Sequence, residues 1–226
     1  MLELCKLQKS FDKKQPVLKD ISLALAPGAA ICIAGQNATG KTTLLRMACG
    51  LISPDAGTVG CDGKIAYVPQ EPALLPELTV RDNLKLWYAA QGLNGPTFSA
   101  LSPEGLLGLE PFEKKRAGAL SGGMKKRLSI AAALVGQPDY LLLDEPFAAL
   151  DAPGCHALSL LLCRLKSEGM GILLTSHEPQ QIAALADILF LLQDGRLSTA
   201  LALKDLPEAQ RQHRVLALLF GNTHAI

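Results

Sequence analysis

The sequence lacks a surplus of charge of either sign. Lysine and arginine together number 22 and aspartate and glutamate 21, which gives a net charge of +1 at neutral pH. Proteins that bind nucleic acid or anionic lipid through their overall electrostatic field carry a large basic excess. We therefore predict no nucleic-acid partner, and any phosphate binding has to be local.

Long apolar runs and an export signal are also missing. Although 49% of the residues are hydrophobic, no stretch reaches the roughly 18 to 20 uninterrupted apolar residues of a membrane-spanning helix. Residues 1–7 alternate as in a strand, without the basic start and apolar core of a signal peptide. These absences predict a cytoplasmic location.

Cysteine pairs of the kind that hold zinc do not occur. The six cysteines show no Cys-x-x-Cys spacing and have no histidine cluster nearby. We interpret them as reduced and mostly buried small hydrophobes. They are Cys5, Cys32, Cys49, Cys61, Cys155 and Cys163.

The hydrophobic pattern of the 226 residues indicates an α/β protein. Short apolar strands alternate with amphipathic helices, which predicts a mostly parallel sheet covered on both faces. The period is helical from about residue 79 to 136, so we expect a helical lobe inserted into the sheet domain. The predicted strands are 2–7, 21–25, 30–34, 65–68, 140–143, 172–175 and 188–192. The predicted helices are 41–49, 80–91, 124–135, 157–168, 179–186 and 206–220.

A glycine-framed loop follows the third strand and opens the first helix, which is the setting of a phosphate-binding P-loop. Backbone N–H groups would face the phosphates, Lys41 would reach the β and γ oxygens, and the Thr42 hydroxyl would ligate Mg²⁺. A chance glycine-rich turn is the alternative, but it makes the strand and the helix coincidental as well. The predicted nucleotide-binding residues here are Gly35, Gln36, Asn37, Ala38, Thr39, Gly40, Lys41, Thr42 and Thr43.

Two carboxylates end the apolar strand at 140–143, on the sheet edge where the P-loop would also lie. Asp144 is predicted to hold Mg²⁺, directly or through water. Glu145 is predicted to orient and deprotonate the attacking water. By itself such a strand end is as often a helix cap or a surface turn.

A serine and two glycines begin the helix at 124–135. Ser121 can cap that helix, while Gly122 and Gly123 let backbone N–H groups approach an anion closely. This segment would form a second phosphate site that needs no lysine. The alternative is a capped helix preceded by an ordinary glycine turn.

Residues 35–42, 120–123 and 141–145, in this order and with a helical block between the first two, resemble the ATP-binding-cassette (ABC) ATPases. The resemblance extends over nearly the whole chain. It implies one domain over residues 1–226, with a P-loop NTPase core, an antiparallel β subdomain and the inserted helical lobe. It also implies ATP and Mg²⁺ as cofactors and ATP hydrolysis as the activity. Ala38 departs from the family pattern, in which glycine is frequent at that position.

Four further residues match lesser motifs of the same family. By that resemblance Gln70 would contact Mg²⁺ and the attacking water, and His177 would contact the γ-phosphate. Phe11 would stack on adenine, and Asp151 would reach across a dimer toward the opposite P-loop. Taken singly, a glutamine such as Gln70 is more often a polar loop residue, and a histidine such as His177 is more often a turn residue. A phenylalanine such as Phe11 is more often part of the core, and an aspartate such as Asp151 is more often a helix cap.

The resemblance also implies the partners. In this family the serine and glycines of one subunit complete the nucleotide site of the other, which implies a homodimer or a heterodimer with a paralogue. It implies a separate integral membrane transporter subunit, with this chain peripheral on the inner face of the cell membrane. Residues 78–88 and the short helical block resemble drug and haem exporters, so we expect export. The alternative is a soluble ABC-type ATPase acting on nucleic acid or ribosomes, which the lack of a long coiled coil or a second cassette disfavours.

Overall fold

The computed structural model describes residues 1–12 and 15–221, which form two β-sheets and a set of α-helices. The strands are β1 (Leu2–Asp12), β2 (Gln15–Leu25), β3 (Ala30–Ala34), β4 (Ala56–Cys61), β5 (Ile65–Val68), β6 (Tyr140–Leu143), β7 (Gly171–Thr175), β8 (Ile188–Gln193), β9 (Arg196–Leu197) and β10 (Leu201–Ala202). The helices are α1 (Lys41–Ala48), α2 (Val80–Ala90), α3 (Pro103–Leu106), α4 (Gly122–Leu134), α5 (Ala152–Ser167), α6 (Pro179–Leu185) and α7 (Glu208–Phe220).

The larger sheet is mostly parallel, as the sequence predicts. Its strand order is β10-β8-β3-β7-β6-β5, and β9 pairs with β8. The five strands from β8 to β5 run parallel, while β9 and β10 are antiparallel to β8. Because parallel strands end at the same edge of a sheet, the segments that follow β3, β6 and β7 are brought close together.

Both faces of this sheet are covered by helices. Alternation along β3 sends Ala30, Cys32 and Ala34 into one core with residues of α4, α5 and α6. The neighbouring Ile31 and Ile33 enter a second core with α1 and the smaller sheet. The short apolar strands are therefore buried on both sides, which explains why they read as continuous hydrophobic runs.

The smaller sheet is antiparallel, with the order β2-β1-β4. It corresponds to the β subdomain that the family resemblance implies. β1 and β2 are longer than predicted, because polar residues on their solvent side obscure the alternation beyond residues 2–7 and 21–25. β4 is missing from the prediction, since Ala56–Cys61 is glycine-rich and largely exposed and shows no apolar periodicity.

The lobe between β5 and β6 contains α2, α3 and α4, in agreement with the helical period of this block. α2 is capped by the Thr79 side chain, which accepts a hydrogen bond from the N–H of Asp82. Glu104 is fully buried and accepts hydrogen bonds from Thr97 N–H and the Tyr88 hydroxyl, which holds the loop after α2 in place. The exact bounds of the lobe remain a prediction.

The cysteines are free, but the prediction that most are buried is wrong. Cys32 is buried, Cys49, Cys155 and Cys163 are half-buried, and Cys5 and Cys61 are exposed. The two exposed thiols lie on the antiparallel sheet, whose outer face is open to solvent. Within the described part of the chain, every helix is too short or too polar to span a bilayer.

Candidate functional site

A cavity of about 510 Å³ opens at the carboxyl edge of the parallel sheet. It is bounded by the end of β1, the loop and helix after β3, and the segments after β5, β6 and β7. Most of the site residues predicted from the sequence lie in its wall. These are Phe11, Asn37, Ala38, Gly40, Lys41, Thr42, Thr43, Gln70, Asp144, Glu145 and His177, together with Val17 and Ala148.

The predicted phosphate loop curls around the ammonium of its own lysine. Lys41 Nζ donates to the carbonyl oxygens of Gly35 at 2.8 Å and Gln36 at 2.9 Å. Thr39 Oγ1 donates to the same Gln36 oxygen at 2.9 Å. Gly40, which precedes α1, has φ 105°, and a Cβ there would lie 2.9 Å from Val17, so this turn requires glycine. The loop is thus held in its curled form by the ammonium of a lysine that also lines the cavity.

Ala38 also has a left-handed backbone, with φ 64°. This conformation costs an ordinary residue roughly 1 to 2 kcal/mol relative to glycine, which accounts for the frequency of glycine in the family at this position. Alanine carries the smallest side chain with that cost. Ala38 thus adopts the left-handed conformation that glycine would take at lower cost.

Asp144 is buried, and both of its carboxylate oxygens are hydrogen-bonded. Oδ2 accepts from Thr42 Oγ1 at 2.6 Å, and Oδ1 accepts from Thr175 Oγ1 at 2.7 Å. The first contact pairs the two side chains that the sequence predicts as metal ligands. A hydroxyl and a carboxylate side by side are oxygen donors of the kind that Mg²⁺ prefers. Thr175 is not among the site residues predicted from the sequence.

Glu145 and His177 form a contact across the cavity wall. Glu145 Oε2 lies 3.1 Å from His177 Nδ1, with the glutamate buried and the histidine side chain 62% exposed. The backbone of Glu145 is left-handed, with φ 46°, and its N–H donates to Thr175 Oγ1 at 2.9 Å. Strained backbone of this kind persists where the surroundings fix it, and here the buried Thr175 hydroxyl is one such group.

Gln70 follows β5 and is exposed at the cavity rim. Its backbone carbonyl accepts a hydrogen bond from Lys126 of α4, a residue that sequence reasoning missed. Lys126 is only 3% exposed. Burial lowers the pKa of its ammonium below the ordinary value, and the nearby charges of Asp144 and Glu145 oppose that shift.

Phe11 is not a core residue, since it lies within β1 with 64% of its surface exposed. Its ring borders the cavity, and the ammonium of Lys9 lies 5.8 Å from the ring centroid. The core alternative is therefore wrong for this residue. An exposed ring at the edge of a cavity is available for stacking on a planar ligand.

The remaining predicted residues lie outside this cavity. Gly35, Gln36 and Thr39 border a neighbouring cavity of about 390 Å³ that shares His177 with the first. Ser121 Oγ caps α4 by accepting from Met124 N–H at 3.3 Å, so the predicted cap is confirmed, while phosphate binding at this segment stays a prediction. Gly122 and Gly123 pack against Ala149, where a Cβ on Gly123 would lie 2.9 Å from its carbonyl oxygen.

Asp151 is engaged within its own chain. Oδ1 accepts from Gly154 N–H and from Arg127 Nη2, each at 3.0 Å, so this residue caps α5 and binds α4 at the same time. The cap makes α5 begin at Ala152, earlier than the predicted residue 157. A role of Asp151 across a dimer stays a prediction.

Comparisons with known proteins agree with this geometry. The family model described as ABC transporter matches residues 18–148. The Nod factor export ATP-binding protein I of Paraburkholderia xenovorans is 37% identical over 86% of this chain and 68% of its own length. The aliphatic sulfonates import ATP-binding protein SsuB of Corynebacterium glutamicum is 38% identical over 92% of this chain and 86% of its own length.

Solved structures of ABC ATP-binding subunits have the same fold as this chain. The ATP-binding subunit of an ABC transporter superimposes with a TM-score of 0.82 at 28% identity, covering 95% of this chain and 94% of that one. The ATP-binding cassette MJ0796, as a dimer in a post-hydrolysis state with ADP and Pi, superimposes with a TM-score of 0.81 at 26% identity. That match covers 91% of this chain and all of the other. The predicted fold class is confirmed.

Proposed function

The chain belongs to the ABC transporter family of ATP-binding subunits, which are ATPases, and on this basis we propose how its residues divide the work of hydrolysis and which partners it engages. The observation that carries the proposal is the single cavity in which Lys41, the Thr42–Asp144 pair and the Glu145–His177 pair meet. These groups supply a phosphate cation, a metal-binding oxygen pair and a general base.

Nucleotide enters with its phosphates on the loop before α1. Lys41 exchanges its two carbonyl acceptors for the β and γ oxygens, and the N–H groups at the start of α1 face the same charge. Thr42 and Asp144 would hold Mg²⁺, which neutralises phosphate charge when bound. Within the described residues there is no cluster of three or more His, Cys, Asp or Glu side chains suited to a metal. Mg²⁺ takes few protein ligands and is completed by phosphates and water.

Hydrolysis requires a base that is aimed at the water on the far side of the γ-phosphate. Glu145 fits this role because its backbone and its carboxylate are both held, by Thr175 and by His177. His177 is exposed enough to contact the γ-phosphate while it keeps its bond to Glu145. Gln70 at the cavity rim completes the set of groups that can orient the water.

A second copy of the chain, or a paralogue, completes the site. Ser121, Gly122 and Gly123 form the start of α4, where the first N–H groups of a helix lack helical acceptors, yet they are not among the described residues that form the cavity of their own chain. They therefore serve the nucleotide of a facing subunit. The dimeric form of the MJ0796 cassette supports this arrangement. Two nucleotides would then lie between the subunits and hold them together until hydrolysis.

The membrane subunit docks in a groove of about 620 Å³ between the edge strand β5 and helices α2 and α4. The groove borders Pro69, next to Gln70, and includes Leu74 and the half-exposed ring of Trp87. Leu86 beside it is half-exposed as well. An apolar groove that joins the sheet to the helical lobe suits an amphipathic helix. A partner seated there contacts both the sheet and the helical lobe.

Export is the proposed direction of transport. The proposal depends on the resemblance of residues 78–88 and the short helical block to exporters. The curated relatives do not decide the direction, because relatives at nearly equal identity are named for export and for import. Uptake of a labelled substrate into inverted membrane vesicles, driven by ATP, tests it. Accumulation inside such vesicles supports export, and ATP-driven loss from preloaded vesicles contradicts it.

Co-purification from detergent-solubilised membranes tests the partner. The tagged chain should recover a polytopic membrane protein, and Trp87→Asp should lose that protein while it retains ATP binding, because a charge in the groove is costly to bury. Leu160→Asp is the matched control, since this exposed leucine lies on α5, away from the groove. Recovery of ribosomes or DNA without a membrane protein would favour the soluble ATPase instead.

A further inference from the structure

Lys126 is a buried lysine at the junction of three functional segments. Its Nζ donates to the carbonyl oxygens of Pro69 at 3.0 Å, of Gln70, and of Asp144 at 3.5 Å. An ammonium has three N–H donors and therefore three acceptors to find. Here all three acceptors are backbone oxygens, two from the loop after β5 and one from the end of β6.

A lysine at this buried position is energetically unfavourable if its only role is packing. Burial penalises the charged ammonium, whereas a methionine of similar length would fill the space without that penalty. The three carbonyl oxygens and the nearby carboxylates of Asp144 and Glu145 offset the cost. The charge is thus matched to its surroundings, and its hydrogen bonds fix the two backbone segments against α4.

The Asp144–Glu145 peptide is held from both sides. Its carbonyl accepts from Lys126 of α4, and its N–H donates to Thr175 at the end of β7. This peptide carries the proposed metal ligand on one side and the proposed general base on the other. A shift of α4 would therefore move the backbone that orients the Asp144 and Glu145 side chains.

We propose that Lys126 is a positioning residue for hydrolysis, which links the α4 start at Ser121–Gly123 to the Gln70 loop and to the Asp144–Glu145 peptide. When the nucleotide of the facing subunit binds at the α4 start, α4 takes up a defined position. Lys126 transmits that position to the Gln70 loop and the Asp144–Glu145 peptide, which orient the attacking water. The inference rests on the proposed dimeric function and deepens it. Lys126 is not among the residues that line the cavity around Lys41, so it would act through the backbone segments that it binds.

Lys126→Met tests the inference, because it keeps the length of the side chain and removes all three donors. We expect kcat for ATP hydrolysis to fall by about tenfold to a hundredfold, as misplacement of reacting groups by an ångström does elsewhere. ATP affinity should stay within about threefold, since Lys41 and its loop are untouched. Lys126→Gln retains two N–H donors and should recover part of kcat. Lys125→Met, on the same helix, should match wild type.

An unchanged kcat in Lys126→Met would overturn the inference, and so would an equal loss of kcat and ATP affinity, which indicates general damage. If Lys126→Met does not fold, Lys126→Gln takes its place in the test. A lower kcat with ATP affinity retained supports the inference, and an unchanged kcat or an equal loss of both overturns it. Failure of the proposed function is seen separately, in a wild-type protein that neither turns over ATP nor dimerises with it. In a Glu145→Gln background, Lys126→Met should still form the ATP-bound dimer, and loss of that dimer would also overturn the inference.

Discussion

Lys41 is the residue on which nucleotide binding depends most directly in this account. Lys41→Ala removes the ammonium that bridges Gly35 and Gln36 and would meet the β and γ charges. Loss of such a charge-assisted contact costs about 2 to 5 kcal/mol, so ATP affinity and turnover should both fall steeply. Titration calorimetry and a phosphate-release assay measure these quantities, and Lys114→Ala serves as a surface control. Equal ATPase rates for Lys41→Ala and wild type would refute the phosphate-loop assignment.

Thr175 gives a sharper test of how the acidic pair is held. Thr175→Val keeps the shape but leaves the buried Glu145 N–H and one Asp144 oxygen without their partner. Each unsatisfied buried group costs about 1 to 3 kcal/mol, so with two such groups the free energy of unfolding should fall by at least that amount and kcat should fall with it.

Thr175→Ser retains the hydroxyl and should stay close to wild type in urea denaturation and in ATPase assays. The pair of variants separates the hydroxyl from the packing of the methyl group. A valine variant as stable and as active as the serine variant would show that Thr175 does not position the acidic pair.

Residues whose role depends on contacts across the fold are the ones that the sequence could not reveal. Lys41, Asp144 and Glu145 occur in local patterns whose chemistry requires those residue types at that spacing. Lys126 occurs within a run of basic residues that reads as a solvated helix face, and Thr175 reads as the last residue of a buried strand. Their partners are distant in the sequence and meet them only in the folded chain.

Among the elements, the central parallel strands are predicted almost to the residue. β3, β5 and β6 match the expected bounds, because continuous apolar runs flanked by Gly or Pro identify them. The antiparallel sheet is predicted less well. One of its faces is open to solvent, and β4 has little hydrophobic signal, so tertiary pairing with β1 determines its structure.

The start of α5 offers a test at the scale of one element. Asp151→Ala removes both the helix cap and the contact with Arg127, and should lower the free energy of unfolding by roughly 1 kcal/mol. Asp151→Asn keeps an oxygen acceptor in the same place and should be close to wild type. Chemical denaturation measures both variants. Equal stability of the alanine and asparagine variants would contradict the capping role.

For the whole molecule, the main consequence of the fold is that the two proposed phosphate-binding segments of one chain lie apart. The cavity after β3 holds the cationic loop, while the α4 start packs beside Ala149 and forms no part of that cavity in the described structure. On the proposed function, a single chain would therefore have one half of each of two sites. We propose that ATP joins these halves between two subunits and that hydrolysis separates them.

Glu145→Gln tests this central claim most directly, because it keeps the size of the side chain and its hydrogen bonding but removes the base. ATP should bind without turnover, and light scattering after size exclusion should show conversion from monomer to dimer with Mg·ATP. ADP should leave the variant monomeric, since it lacks the γ-phosphate that the second subunit contacts. Adding Ser121→Arg should abolish the dimer and leave ATP binding nearly intact. A Glu145→Gln protein that stays monomeric at saturating ATP, or that hydrolyses ATP at the wild-type rate, would contradict the account.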